Sequence, residues 1–230
     1  MVLVTGAGRG IGRATAQAFA EAGFAVVVAE RAPGRGRSAE RALRAMGAPA
    51  LFVRTDVAEP GAAQRAVRAA VRRFGRLDCV VNNAGVLTVG RLDRLAPARI
   101  REMVRVNLLG PLRVLRAALP LLRRRRRGAI VNVASLLGKE GAAEYVSYCA
   151  TKFGVIGLTE ALAEELRGTG VSVWAVCPGA VDTPMARQGG GLTERERADL
   201  IPPESVARVI VELATRRRRR PSGAAVDVTR

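Results

Sequence analysis

The sequence predicts one α/β domain: a doubly wound, mostly parallel sheet with helices on both faces. Three observations carry this. Short, continuous apolar runs rich in Val alternate with helical stretches along the chain. Runs of that kind are strands buried on both sides, and the stretches between them supply the cover. A glycine-rich turn follows the first run directly and opens the first helix. Finally, 230 residues, 49% of them apolar, suffice for one large core without a second domain, so the domain is taken as 1–230.

Taken in order, Val2–Thr5 reads as a strand, Ile11–Ala22 as a helix and Phe24–Ala29 as the next strand. A helix is expected from Ser38 to Gly47, a strand at Ala50–Arg54, and a helix over Pro60–Phe74 with proline in its first turn. Cys79–Asn82 is a strand, and one long helix is expected from Pro97 to Leu122. Ile130–Ala134 and Val171–Val176 are strands flanking a helix from Tyr145 to Arg167. A last helix follows Pro203, and Ala225–Val228 closes the pattern as a strand. The polar, Gly-rich stretch from 184 to 203 is expected to form a short lid.

Composition removes several kinds of chemistry. The chain has no histidine, which excludes Ser-His-Asp hydrolysis, Cys-His proteolysis and His-ligated zinc. Cys79, Cys149 and Cys177 lack metal-type spacing and read as small core residues of a reducing, cytoplasmic environment, so no metal is expected. No apolar run reaches bilayer length, and Met1 leads directly into the first strand, so neither membrane span nor leader is expected.

The net charge of +18 owes much to two runs, Arg123 to Arg127 and Arg216 to Arg220. Such runs can attract polyanions or acidic proteins. No aromatic residues interleave with them to stack on bases, so they read as solvated surface, without nucleic acid as a partner. Each run immediately precedes a strand, which places both on the edge of the sheet opposite the ligand crevice.

The turn Thr5-Gly6-Ala7-Gly8-Arg9-Gly10-Ile11-Gly12 has the context of a dinucleotide site, the mark of a Rossmann-type domain. Glycines let the backbone approach a pyrophosphate, and the helix N-terminus offers unpaired N–H groups and the positive end of its dipole. Gly6, Arg9, Gly10, Ile11 and Gly12 are therefore cofactor-binding candidates. Glu30 ends the second strand, where a carboxylate accepts hydrogen bonds from ribose hydroxyls and repels an added phosphate. This favours NAD, while Arg9 and Arg31 pull toward NADP.

Tyr148 and Lys152 stand at i and i+4 on one helix face. An unperturbed tyrosine, with a pKa of about 10, is a poor base at neutral pH, and lowering it by about three units takes roughly 4 kcal/mol. An adjacent ammonium, an oxidised nicotinamide and a dry pocket are the expected sources. Tyr148 would then exchange a proton with an alcohol or ketone while a hydride moves to or from the cofactor. Ser135, at the C-terminal end of a strand, would orient the substrate oxygen.

Asn107 lies four residues before Pro111. Proline has no N–H and its ring crowds the carbonyl of residue 107, so the long helix should kink there and leave that carbonyl free for an ordered water.

With these motifs in this order, the chain resembles the short-chain dehydrogenase/reductase family over nearly its whole length, and most resembles 3-oxoacyl-(acyl-carrier-protein) reductase-type members. The resemblance rests on Thr5–Gly12, Asp56-Val57, Asn82-Asn83-Ala84-Gly85, Asn107, Ser135, Tyr148, Lys152, Pro178-Gly179 and Val181-Asp182-Thr183-Pro184. It implies a seven-stranded sheet, a catalytic tetrad of Asn107, Ser135, Tyr148 and Lys152, and an Asn107-bound water linking the lysine to solvent. Asp56 and Val57 would flank the adenine, and Asn83, Ala84 and Gly85 would line the cofactor. Pro178, Gly179, Val181 and Thr183 would hold the nicotinamide carboxamide. It also implies a small alcohol or ketone substrate, carrier-bound acyl groups included, and a homotetramer or homodimer. Tyr145, with no lysine four residues on, is set aside. The competing reading is a dinucleotide-binding regulatory protein that has lost its catalysis, against which the intact tetrad argues.

Overall fold

The computed structural model describes residues 1–188 and 199–229. Seven parallel strands form one sheet in the order β3-β2-β1-β4-β5-β6-β7. They are β1 (Val2–Thr5), β2 (Val26–Glu30), β3 (Ala50–Arg54), β4 (Cys79–Asn82), β5 (Gly128–Val133), β6 (Val171–Pro178) and β7 (Ala225–Val228). Alternation along the strands feeds two cores. Val2 and Val4 face α1 (Gly10–Glu21), α2 (Pro33–Ala45) and α8 (Pro203–Ala214), where Phe19 is fully buried. Leu3 faces α3 (Ala62–Phe74), α5 (Leu109–Arg125) and α6 (Val146–Glu165) on the other side. The chain leaves β1 toward β2 on one side and later returns to place β4 on the other. The crevice outside the C-terminal ends of β1 and β4 is thus the switch point where this architecture binds ligands.

Two helix starts depart from the sequence expectation by two residues or more. The second helix begins at Pro33, not Ser38, because Pro33 occupies its first turn and Gly36 lies against Phe52, whose ring a Cβ at that position would meet at 2.1 Å. The third begins at Ala62. Gly61 precedes it in the left-handed conformation (φ 77°), so Pro60 stands before the helix rather than in its first turn.

The expected single helix from Pro97 to Leu122 is three segments: α4 (Pro97–Met103), a π-helical turn (Val104–Leu108) and α5. The chain answers the missing N–H of Pro111 by widening the helix, so that the Leu109 N–H donates to the Val104 carbonyl, five residues back. The break thus falls where the proline placed it, in the form of a π turn. Of the expected lid, α7 (Pro184–Gln188) is described, and residues 189–198 lie outside the described residues.

Both arginine runs sit at the N-terminal edge of the sheet, one leading into β5 and the other lying between α8 and β7. No helix among the described residues is long and apolar enough to cross a membrane.

Candidate active site

A cleft of about 580 Å³ opens at the C-terminal edge of the sheet. Its floor is tied together by Thr5 and Asn83. The Thr5 hydroxyl accepts from the N–H groups of Asn83 (3.0 Å) and Ala84 (3.1 Å) and donates to the Val81 carbonyl (3.3 Å). The Asn83 amide donates to the carbonyls of Thr5 (2.9 Å) and Gly6 (3.3 Å). The glycine loop after β1 and the loop after β4 are thereby fixed as one surface. Gly12 has a different role from its neighbours. It faces the loop rather than the cleft, and a Cβ there would stand 2.3 Å from the Gly6 carbonyl oxygen. It is the packing glycine that lets helix and strand meet.

The cleft lining includes Gly6, Arg9, Gly10, Ile11, Glu30, Arg31, Asp56, Val57, Asn83, Ala84, Gly85, Ser135, Tyr148, Lys152, Pro178, Gly179, Val181 and Thr183. The expected residues therefore converge, with Gly12 and Asn107 standing behind the wall. Bare backbone at the glycine loop, opening a helix, gives a dinucleotide pyrophosphate room and N–H donors, so the residues present fit such a cofactor.

At the adenosine end, Glu30 is buried. Its Oε2 accepts from the Gly8 N–H at 3.1 Å, its Oε1 from the Ala32 N–H at 3.0 Å, and Arg35 stands 3.5 Å away. Arg35 also lines the cleft, its Nε–H is buried without a partner, and sequence reasoning missed it. Five residues past Glu30 and inside a helix that begins earlier than expected, it gave no motif signal. Arg31 lies 3.9 Å from Asp56.

At the other end, α6 carries Tyr148 and Lys152 on one face, and the Lys152 ammonium lies 5.5 Å from the Tyr148 ring centre. Ser135, two residues past β5, donates to the Pro178 carbonyl at 3.5 Å and accepts from the Leu137 N–H at 3.2 Å, on the same cleft wall as Tyr148. Lys152 is buried and donates to the Val133 carbonyl at 2.8 Å.

The electrostatics differ from the sequence expectation. Burial pushes the Tyr148 phenol up to about 12, with the neighbouring Ser135 hydroxyl acting against it. Burial likewise pulls the Lys152 ammonium down to about 8. A dry pocket therefore opposes ionisation of the tyrosine, because desolvation disfavours every charged form. Tyr145, set aside in the sequence, also lines the cleft.

Asn107 is buried, and its side chain is engaged at both ends. Oδ1 accepts from the Val86 N–H (2.8 Å), and Nδ2 donates to the Val86 carbonyl (2.9 Å) and the Thr151 hydroxyl (3.2 Å). It clamps the loop after β4 to the helix that carries Tyr148. Sequence reasoning also passed over a buried chain beneath the site. Asn82 donates to Asn132 and Asn132 to Thr159, each at 2.9 Å, linking β4, β5 and α6.

Comparison with known proteins agrees with this geometry. The family model described as short chain dehydrogenase matches residues 1–190. The chain is 40% identical over 199 residues to an L-fucose dehydrogenase of Oryctolagus cuniculus, covering 86% of this chain and 68% of that one. It is 37% identical over 186 residues to a 3-oxoacyl-(acyl-carrier-protein) reductase of Staphylococcus aureus, covering 80% and 75%. Among solved structures, a 3-ketoacyl-(acyl-carrier-protein) reductase from Brucella melitensis complexed with NADH superposes with a TM-score of 0.93 at 29% identity, covering 99% and 96%. Levodione reductase superposes with a TM-score of 0.92 at 28% identity, covering 99% and 95%. With its sheet order, its cleft and these matches, the chain belongs to the short-chain dehydrogenase family and is an enzyme acting on alcohol or keto groups.

Proposed function

We propose that this enzyme interconverts a secondary alcohol and a ketone, 3-oxoacyl compounds included, with NAD or NADP as hydride carrier. One observation carries the reading: Ser135, Tyr148 and Lys152, drawn from a strand end and a helix, meet at one point of a cleft floored by a glycine loop. When bound, the nicotinamide accepts or delivers the hydride. Tyr148 holds the proton exchanged with the substrate oxygen, at its phenolic Oη. Ser135 Oγ orients that oxygen beside it. Lys152, already stripped of water, brings positive charge next to the phenol when protonated, which offsets part of the burial cost of a phenolate. Asn107 positions, by holding the cofactor-side loop against the helix of Tyr148.

The sequence favoured NAD through Glu30. In the fold, that carboxylate is shared among two backbone N–H groups and Arg35, which supports acceptance of both cofactors. A homodimer or homotetramer is part of the same proposal, supported by the exposed apolar side chains Val104, Leu112, Val146 and Phe153. Cytoplasmic residence is supported by three buried free cysteines. The test is the change in nicotinamide absorbance with purified protein, both cofactors and a panel of sugars, cyclic ketones and 3-oxoacyl thioesters. Cofactor binding with no turnover across the panel would favour the silent regulatory reading.

A further inference from the structure

Both arginine runs close on a single residue. Gly170, just before β6, has φ +78°, and a Cβ there would stand 2.0 Å from the Arg126 carbonyl oxygen, so only glycine allows the first run so close. The Gly170 carbonyl in turn accepts from the Arg216 guanidinium at 3.1 Å, which brings the second run to the same place. The far end of that run is held as well, because the Trp174 indole N–H donates to the Arg220 carbonyl at 3.2 Å. Segments about ninety residues apart in the chain thus form one basic face at the N-terminal edge of the sheet.

The chain does not neutralise this face. Of the ten arginines in the two runs, three reach a carboxylate among the described residues: Arg123 with Glu165, Arg125 with Asp78 and Arg218 with Glu212. Asp78 is further shared with the N-terminal amine and Arg76. Arg124, Arg126, Arg127, Arg217, Arg219 and Arg220 are exposed without a carboxylate partner among the described residues. Like charges held this close repel, and a polyanion relieves that repulsion by displacing the counter-ions around them.

Against the reading of the runs as bare solvated surface, which weighed only stacking on bases, we propose that this face binds the phosphate backbone of duplex nucleic acid, without reading sequence and independently of the active site. Three features select that partner. Guanidinium forks match phosphate oxygens in pairs. The large apolar side chains exposed elsewhere, such as Leu92 and Phe153, are absent from the face, so a protein partner finds no desolvated anchor. No exposed aromatic residue stands among the arginines to stack on unpaired bases, which disfavours single strands. The face lies opposite the cleft, so an acyl group delivered on an acidic carrier docked here would not reach Tyr148 of the same subunit.

Fluorescence anisotropy of a labelled duplex of arbitrary sequence, titrated with the full chain at several salt concentrations, tests this. The wild type should bind with log K falling against log salt at a slope of about −4 or steeper, since each phosphate contact contributes about −0.9. The variant R124Q/R127Q/R217Q/R219Q/R220Q should lose affinity by about tenfold or more and show a shallower slope. Its NADH binding, followed by nicotinamide fluorescence, should be unchanged. If that variant no longer binds NADH, R124Q/R127Q and R217Q/R219Q/R220Q carry the same test separately. The charge-matched variant R37Q/R41Q/R54Q/R68Q/R116Q should lose far less duplex affinity. Equal losses in the two five-residue variants would reduce the effect to net charge and overturn the proposal. Failure of the wild type to bind duplex, or tighter binding to phosphatidylglycerol vesicles than to duplex, would overturn it too.

Discussion

The Arg35 guanidinium stands 3.5 Å from Glu30 Oε1, while the N–H groups of Ala32 and Gly8 occupy the two oxygens of the same carboxylate. Glu30 therefore ties the glycine loop to the start of α2, and Arg35 compensates its charge. A hydrogen bond to a charged group contributes about 1.5–3 kcal/mol, which is roughly tenfold or more in affinity. Arg35→Ala should lower the ratio of kcat/KM for NADPH over that for NADH by about tenfold. An unchanged ratio, with both cofactors weakened alike, would leave Arg35 as a support of the loop alone.

Tyr148→Phe removes the proton carrier and keeps the ring. Turnover should fall by about a hundredfold to ten-thousandfold, the range for a lost general acid or base. NADH affinity, read by fluorescence, should stay within about twofold of wild type because the ring packing is retained. Wild-type-like turnover would remove Tyr148 from the proposed chemistry.

Lys152 is pulled from an ordinary 10.5 to about 8 by burial. The folded state holds this proton less tightly than the unfolded chain, so the cost of burying the charge is full below pH 8 and fades as pH rises toward 10.5. At about 1.4 kcal/mol per pKa unit, the difference is on the order of 3 kcal/mol. Measured by urea unfolding from pH 7.5 to 10, wild-type stability should rise relative to Lys152→Met. Above pH 10 the absolute stability of both proteins should fall, because Tyr148, raised to about 12, keeps its proton in the folded state while the unfolded chain releases it, and the difference between them should level off. A flat difference between pH 7.5 and 10 would mean that Lys152 keeps its ordinary affinity for the proton.

Asn107→Ala leaves the half-buried N–H and carbonyl of Val86 and the buried Thr151 hydroxyl without this partner. Each unpaired group costs about 1–3 kcal/mol, so a loss of about 3 kcal/mol in unfolding free energy is expected, together with weaker cofactor binding. Pro111→Ala restores an N–H at the π turn and should change stability by less than Asn107→Ala, with NADH affinity preserved. Equal loss of NADH affinity in both variants would show that the π turn, and not the Asn107 clamp, positions the loop.

By itself the sequence determined the sheet, the order of its elements and most of the residues that line the cleft. Each of these is written in local chemistry: valine-rich runs, glycines where a helix must start at a backbone turn, and a tyrosine and lysine one helical turn apart. It also placed a break at Asn107, because the missing N–H of Pro111 is a property of the residue itself. The tertiary structure decided whatever depends on contacts between distant segments. It turned the break into a π turn and gave the Asn107 side chain to Val86 and Thr151, twenty-one and forty-four residues away. It set Arg35 against Glu30, a pairing with no periodicity to announce it. It raised Tyr148 where the motif pointed to lowering, because burial outweighs the help of the neighbouring Ser135 hydroxyl. It also gathered two arginine runs around Gly170, since separation along the chain says nothing of distance once parallel strands bring their starts side by side.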